Sequence, residues 1–282
     1  TALAETPALF PQRATVACQG IEGAYSQMAC DSIFKSPTIL YFDTFDHVFK
    51  AVESGMCQYG ILPIENSTAG SVNAIYDLMI QHNFSIVRSV RLKVSHNLLA
   101  KHGTKLGDIR EVFSHEQAIS QCADYLAGMK NIKVTMVENT AVAARMVAQS
   151  DRTDVAAISS RFCGEEYGLN LVQTNVQDQD NNYTRFICIS KIPEIYPGAD
   201  RTSLMMTLPH RPGSLYHVLS KFYALGINLR KLESRPLPEF EFMFYFDLEC
   251  SVYAPEMERL FRDLDEESEY FRYLGTYNEV IC

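Results

Sequence analysis

The 282-residue sequence has no run of about 18 apolar residues, no closely spaced pair of cysteines and no excess of basic residues. Without a long apolar run, no membrane-spanning helix is predicted. The formal net charge of −9 argues against a general binder of nucleic acids or anionic membranes, which requires a basic face. An anionic small molecule stays open as a substrate, because a local cluster of donors can override the overall charge.

The eight cysteines are spread along the chain, and none stands in a C-x-x-C pair. A zinc site or a disulfide framework needs closer, paired spacing. We therefore predict reduced thiols that act mostly as small buried apolar groups, which is typical of a cytoplasmic protein. Neither a metal site nor a cofactor is predicted.

Residues 1–13 read as a polar leader that contains proline. The leader lacks the basic region and the long apolar region of a signal peptide, and it does not begin with methionine. We expect the chain to be a fragment or a processed form of a longer protein.

After residue 13, one pattern recurs along the chain: an apolar strand, a turn with hydroxyl or amide side chains, and a helix. This order predicts an α/β fold with parallel strands. A long extended segment near residues 85–99 is expected to carry the chain into a second lobe, and the chain is expected to return near residues 176–190. Because ligands of such sheets bind beyond the carboxyl ends of the strands, a cleft between two lobes is the predicted binding site.

Hydrogen-bonding side chains stand at these strand ends. The candidates for binding a small polar ligand are Ser26, Asn66, Ser67, Thr68, Ser114, Gln117, Thr140 and the segment 181–186. The alternative for the residues before helices is capping, which would contribute about 1 kcal/mol to a helix without any ligand. His115 is a candidate general base or, alternatively, a capping residue.

Three short motifs together are more specific than any one of them. In chain order they are Ile64-Glu65-Asn66-Ser67, Ser114-His115-Glu116-Gln117 and Thr184-Arg185-Phe186. They resemble the signature of the prephenate dehydratase family, and the resemblance extends over residues 15–282. Two turns depart from the usual pattern, since Tyr25 stands where phenylalanine is common and Glu116 where proline is usual. The resemblance implies a catalytic domain over residues 14–190 with two lobes, like a type 2 periplasmic-binding-protein fold.

The resemblance also implies an activity, the conversion of prephenate to phenylpyruvate, carbon dioxide and water without a cofactor. Thr184 is then the catalytic candidate, which assists the leaving hydroxyl by a proton or a hydrogen bond. Arg185 is expected to anchor a substrate carboxylate or to buttress the loop, and Phe186 to pack at the substrate site. The other expected substrate-binding residues are Ser26, Asn66, Ser67, Thr68, Ser114, Gln117 and Thr140. The alternatives are an arogenate dehydratase and a non-catalytic amino-acid sensor.

A second domain is expected after a linker at residues 191–200, which contain two prolines and a glycine. Residues 201–282 follow the order βαββαβ, the ferredoxin-like pattern, and resemble an ACT regulatory domain. Two segments match the phenylalanine-binding motifs of dehydratase-linked members: Pro212-Gly213-Ser214-Leu215 and Glu233-Ser234-Arg235-Pro236.

The second resemblance implies feedback inhibition by L-phenylalanine and a homodimer or tetramer through the ACT and catalytic domains. A mere packing module is the alternative. We expect that deleting residues 201–282 leaves activity and abolishes inhibition. The leader further suggests a chorismate mutase domain upstream in the full-length protein.

Overall fold

The computed structural model describes residues 5–238, 241–251 and 253–282, so residues 1–4 of the expected leader lie outside the described residues. The described strands are β1 (Thr15–Gln19), β2 (Thr38–Phe42), β3 (Tyr59–Asn66), β4 (Gly70–Ser71), β5 (Ser85–Lys93), β6 (Asn97–Ala100), β7 (Glu111–Ser114), β8 (Lys133–Met136), β9 (Val155–Ser159), β10 (Asn170–Gln173), β11 (Tyr183–Ser190), β12 (Arg201–Thr207), β13 (Asn228–Pro236), β14 (Phe242–Glu249), β15 (Tyr270–Tyr277) and β16 (Glu279–Ile281).

Helices alternate with most of these strands. The described α-helices are α1 (Tyr25–Ile33), α2 (Phe45–Glu53), α3 (Asn73–Gln81), α4 (Glu116–Gln121), α5 (Ala123–Gly128), α6 (Thr140–Gln149), α7 (Arg161–Glu166), α8 (Ser214–Ala224) and α9 (Met257–Glu267), and a short 3₁₀ turn spans Leu106–Asp108. Within the described ranges, none of the helices is both long and apolar enough to cross a membrane.

The first lobe is built on a sheet with the strand order β16-β5-β11-β3-β1-β2, with β4 beside β3. Strands β1, β2 and β3 run parallel, as predicted. Strand β11, however, runs antiparallel to both β3 and β5, which corrects the expectation of purely parallel strands. The reason is that β11 belongs to the chain returning from the second lobe, so it enters the sheet from the opposite end.

The second lobe contains residues 97–173, with the strand order β10-β6-β9-β7-β8. The chain leaves the first lobe after β5 and returns before β11, so the two lobes are joined by two crossings. All five residues of β9 are buried, as its apolar sequence requires in a central strand covered on both faces. Residues 116–128 form two helices, α4 and α5, because Cys122 between them leaves the helical conformation with φ −120° and ψ 24°.

The C-terminal unit, residues 201–277, has the order β12-α8-β13-β14-α9-β15 and the sheet order β13-β14-β12-β15. These are the order and pairing of a ferredoxin-like unit, so the predicted α/β fold class is confirmed for both parts of the chain. One face of this sheet carries the two helices over a core that includes Leu204, Val218 and Phe246.

The other face of the C-terminal sheet packs against the first lobe. Met205, Tyr245 and Leu274 share one buried cluster with Ile187 and Ile189 of β11. Beyond this unit the chain continues into β16, which pairs in parallel with β5 and becomes an edge strand of the first lobe. The predicted βαββαβ order of residues 201–282 did not contain this strand.

Candidate functional site

The cleft between the two lobes encloses a cavity of about 320 Å³. Its described lining combines residues of the first lobe (Gln19, Tyr25, Phe45, Asn66, Thr184), of the second lobe (His115, Gln117, Ala118, Gln121, Glu138, Asn139, Thr140) and of the two crossings (Val94, His96, Asn182). A second cavity of about 710 Å³ adjoins it, and the two linings share His115, Gln117, Gln121 and Asn182. Thr68, one of the predicted ligand-binding residues, lines this second cavity.

Asn66, at the end of β3, organises the first-lobe side of the cleft. Its amide nitrogen donates to Asn182 Oδ1 at 2.7 Å and to Thr184 Oγ1 at 2.9 Å. Its amide oxygen accepts from Thr68 Oγ1 at 2.7 Å and from the backbone nitrogens of Thr68 and Ala69, each at 3.0 Å. With both amide atoms bonded, the Asn66 side chain has one fixed orientation, and it holds the Thr184 oxygen in place.

The Thr184 hydroxyl therefore accepts a hydrogen bond from Asn66. Among the described residues, no acceptor is recorded for the proton of this hydroxyl, and the residue lines the cavity. An O–H group that already accepts a bond and keeps its own proton available is well suited to donate to a ligand.

Gln121 connects the second lobe to this arrangement. Its amide oxygen accepts from Asn182 Nδ2 and from His96 Nε2, each at 2.8 Å, and its amide nitrogen donates to Thr68 Oγ1 at 2.8 Å. Residues of both lobes and of the crossings thus share one network. The sequence-based prediction missed Gln121 and His96. Gln121 was detectable, because it stands four residues after Gln117 and such residues share a helix face.

His96 is only 3% exposed, and burial holds its pKa below the ordinary value of 6.5. Because the amide oxygen of Gln121 can only accept, Nε2 carries the proton and the ring is neutral. Its other nitrogen, Nδ1, is buried and has no hydrogen-bond partner among the described residues.

This burial predicts a dependence of stability on pH. As the pH falls, the unfolded chain takes up the His96 proton before the folded protein does, so the contribution of His96 to stability is present above about pH 6.5 and is lost below it. We expect His96→Gln to lose less stability between pH 7.5 and pH 5.5 than the parent, as measured by thermal unfolding at both values. Equal losses in the two proteins would contradict the assignment.

The described lining of the cleft cavity contains neither lysine nor arginine. Besides the imidazoles of His96 and His115, its side-chain donors are amides and hydroxyls, and its one carboxylate is that of Glu138. Asn139 caps α6 by accepting from the backbone nitrogen of Val142 at 2.8 Å, and Thr140 begins that helix at the cavity. A polar ligand in this cleft would be held by neutral hydrogen bonds together with the positive end of a helix dipole.

The prephenate dehydratase family model matches residues 16–194, which is more than half of the chain. The chain belongs to the prephenate dehydratase family. The chloroplastic arogenate dehydratase/prephenate dehydratase 2 of Arabidopsis thaliana is 38% identical over 279 residues, which are 94% of this chain and 73% of that relative.

Two solved structures are similar over nearly the whole chain. The prephenate dehydratase of Arthrobacter aurescens, in complex with L-Phe, has a TM-score of 0.86 at 26% identity and covers 94% of this chain and 89% of its own. GqqA, described as a novel type of quorum quenching acylase, has a TM-score of 0.85 at 32% identity and covers 93% of this chain and 97% of its own.

In this member of the prephenate dehydratase family, two residues of the TRF motif do not face the cleft, which corrects the prediction that both contact substrate. Phe186 is buried in the cluster between the first sheet and α1, together with Val16 and Cys30. Arg185 points to the opposite face of β11 from Thr184, because successive side chains of a strand alternate. It is 5% exposed and lies against the C-terminal unit, so the buttressing alternative fits its position better than the carboxylate anchor.

Three predicted serines are occupied by structural hydrogen bonds. Ser114 is fully buried and donates to the carbonyl of Ile158 at 2.7 Å. Ser26 donates to the carbonyl of Gln19 at 2.7 Å. Ser67 joins the ends of β3 and β11, since it donates to the carbonyl of Asn181 and accepts from the Tyr183 nitrogen, each at 2.8 Å. None of the three is in the described lining of either cleft cavity, which corrects their assignment as direct ligands.

The two expected phenylalanine-binding segments have different surroundings within one chain. Pro212, Ser214 and Leu215 line a cavity of about 380 Å³, and Gly213 precedes α8 in the left-handed conformation with φ 88°. In the second segment, described residues 233 and 235 face the first lobe instead: Glu233 bonds Ser71, and Arg235 forms a paired contact with Asp77 at 2.8 and 3.0 Å. Ser234 and Pro236 lie on the other face of β13 and are exposed.

Proposed function

We propose that this chain is a prephenate dehydratase of L-phenylalanine biosynthesis. The observation that supports this most directly is the Thr184 hydroxyl, which lines the cleft, accepts a bond from Asn66 and keeps its proton available. The family membership supplies the reaction class, and the neutral cleft is consistent with it.

The chemistry of prephenate needs little more than such a donor. The bond between the ring and its carboxylate breaks, and its electron pair enters the ring. The ring carbon–oxygen bond breaks on the opposite side, and the departing hydroxide takes a proton and leaves as water. Because the product ring is aromatic, its formation supplies the free energy that drives the reaction. The enzyme must therefore mainly stabilise the departing oxygen. We assign this role to Thr184, as a hydrogen-bond donor whose oxygen is positioned by Asn66.

The absence of lysine and arginine from the described lining suits the other half of the reaction. A cation beside the ring carboxylate would stabilise the charged reactant and so oppose loss of carbon dioxide. Neutral donors avoid this effect. We therefore assign Gln117 and Thr140 to substrate binding, with Thr68 contributing from the adjoining cavity. Asn66 lines the cleft, but its amide is bonded within the protein, so its assigned role is to position Thr184.

Arogenate is the alternative substrate, since it has an ammonium group where prephenate has a keto oxygen. The carboxylate of Glu138 in the cleft lining is a group that could pair with that ammonium, and the relative from Arabidopsis carries both activities in its name. The purified protein should be given each substrate separately. Formation of phenylpyruvate, read by its alkaline absorbance, or of phenylalanine, read by amino-acid analysis, compares the two values of kcat/KM. Absence of turnover with both substrates would contradict the proposed function and favour the sensor.

We further propose that the C-terminal unit is an ACT domain that binds L-phenylalanine and inhibits the enzyme. Its ferredoxin-like order and the L-Phe complex of the Arthrobacter relative support this. Strand β13 is an edge strand, and edge-to-edge pairing with a second copy fits the proposed homodimer or tetramer. If Glu233 and Arg235 bind the amino acid, they must leave Ser71 and Asp77.

This regulatory proposal predicts saturable binding of L-phenylalanine and inhibition of turnover, both at millimolar concentration or below. Calorimetry measures the binding, and Ser214→Asp should weaken it by placing a charge in the cavity beside Pro212. An enzyme that is active but neither binds nor responds to L-phenylalanine would refute the regulation alone. We also propose a reducing, cytoplasmic setting, since all eight cysteines are free and six of them are buried.

A further inference from the structure

Strand β11 carries two adjacent side chains that face in opposite directions. Thr184 lines the cleft, and Arg185 enters the interface with the C-terminal unit. The pairing of β11 with β3 shifts register between Arg185 and Phe186, which marks a bulge at this point. The bulge interrupts the ladder on the β3 side, while the pairing with β5 stays regular over residues 183–188. On the irregular side, the side-chain contacts of Arg185 add to the ladder in fixing the position of Thr184.

Asp247, in the middle of β14, makes the closest of these contacts. Its carboxylate lies 2.5 Å from Arg185 Nη1, and the side chain is fully buried. Its other partners are hydroxyls, Ser203 at 3.1 Å and Tyr277 at 3.3 Å, and Tyr277 also accepts from Arg185 Nη2 at 3.0 Å. Within the described residues, Arg185 is the cation paired with Asp247, so loss of Arg185 would leave the Asp247 carboxylate as an uncompensated buried charge.

Glu279, in β16, holds the same guanidinium from a second direction. Its carboxylate lies 3.5 Å from Arg185 Nε and 3.3 Å from Arg201, and it also pairs with Arg91 of β5. Strand β16 lies beside β5, which is itself the neighbour of β11. The Arg185 side chain is thus clamped between the C-terminal sheet and the edge of the first-lobe sheet.

The C-terminal unit packs closely against the first lobe at this interface. Gly275 of β15 lies so close to β5 that a β-carbon at this position would stand 2.1 Å from the carbonyl oxygen of Ile86. A glycine is required here because only hydrogen fits between the two backbones. The C-terminal unit is therefore seated directly against the strand next to β11.

We propose that Asp247 and Glu279 are positioning residues for the reaction, which hold Thr184 in place through Arg185. This inference rests on the proposed catalytic role of Thr184. On this proposal, residues of the C-terminal unit help to keep Thr184 in the position that catalysis requires. It also replaces the expectation that residues 1–200 work alone, since removing residues 201–282 deletes both carboxylates and strand β16.

The test compares Asp247→Asn with a matched control at the same interface, Asp77→Asn. The first variant keeps the shape and removes the charge that holds Arg185, while the second removes the carboxylate bound to Arg235 and leaves β11 untouched. We expect kcat of Asp247→Asn to fall roughly tenfold or more with KM changed by less than about threefold, since displacements near 1 Å at a reacting group reduce rates strongly. Asp77→Asn should keep the parent kcat. Glu279→Gln should lower kcat in the same direction and serves as the second variant if Asp247→Asn fails to fold.

Hydrogen exchange provides a readout that does not depend on activity. The amides of residues 183–186 should exchange faster in Asp247→Asn than in the parent, and at the parent rate in Asp77→Asn. Parent-like kcat and exchange in Asp247→Asn would overturn the inference, and so would equal losses in both variants, which would indicate general undocking. If the parent turns over neither substrate, the proposed function fails, and the exchange comparison still decides whether Asp247 holds β11.

Discussion

Thr184→Ala is expected to lower kcat for the preferred substrate by roughly a hundredfold or more, while KM changes by only a few-fold. The variant loses the hydroxyl that is proposed to stabilise the departing oxygen, and this contact strengthens only as the carbon–oxygen bond breaks. Steady-state kinetics with prephenate and with arogenate measure the effect. Asn66 then keeps its bonds to Asn182 and Thr68, so the cleft should keep its shape.

The matched control for this prediction is Thr184→Ser, which keeps the hydroxyl and removes one methyl group. It should retain most of the turnover, since its oxygen can still accept from Asn66 Nδ2. Turnover by Thr184→Ala within a few-fold of the parent would rule out the assigned role. Parallel losses in both variants, together with a lower melting temperature, would instead indicate damage to the strand.

Arg185→Met is expected to destabilise the folded protein by roughly 3–5 kcal/mol. Methionine fills much of the same volume, but it leaves the fully buried carboxylate of Asp247 without a cation. The cost of that uncompensated charge exceeds the loss of the ion pair itself, because a buried carboxylate has no water to replace its partner. For a chain of this size the melting temperature should fall by roughly 10 °C, as measured by thermal unfolding or calorimetry.

Two further proteins distinguish this cause from a general loss of packing. Adding Asp247→Asn to Arg185→Met should recover part of the lost stability, because it removes the stranded charge. Arg230→Met breaks the pair with Glu249, whose side chains are 45% and 35% exposed, and should cost less than about 1 kcal/mol. A small loss in Arg185→Met, or no recovery in the double variant, would argue against a charge-dependent interface.

The local pattern of the chain was enough to predict the elements and the general place of the site. Apolar strands followed by polar turns and helices determine an α/β fold. The hydrophobic periodicity of each segment distinguishes a strand from a helix, and the turn residues beside it mark its ends. The same reasoning located Asn66, Gln117 and Thr140, because the turns that follow parallel strands lie at one edge of a sheet. Thr184 lies at the start of β11 and reaches the same edge because that strand runs antiparallel to β3. All four line the cleft cavity.

Hydrogen bonds to the backbone account for the predicted residues at that edge that do not line the cleft. Ser26, Ser67 and Ser114 occur in the same kind of turn as Asn66, but their hydroxyls bond backbone carbonyls. A short hydroxyl side chain can satisfy the nearby backbone or reach a ligand, and the sequence carries the same residue in both cases. Only the position of the neighbouring carbonyl decides between them.

What the sequence by itself determined was therefore most of the strands, though not β16, together with the βαββαβ order of residues 201–277 and the alternation of Thr184 with Arg185. Alternation requires these two side chains to face opposite ways, but it does not say which one meets the cleft. The tertiary structure decided that, through contacts between residues far apart in the chain: Asp247 with Arg185, β16 with β5, and Gln121 with Asn182. Such pairs cannot be recognised from local sequence patterns. The periodicity of each segment is the same whether or not its residue has a distant partner.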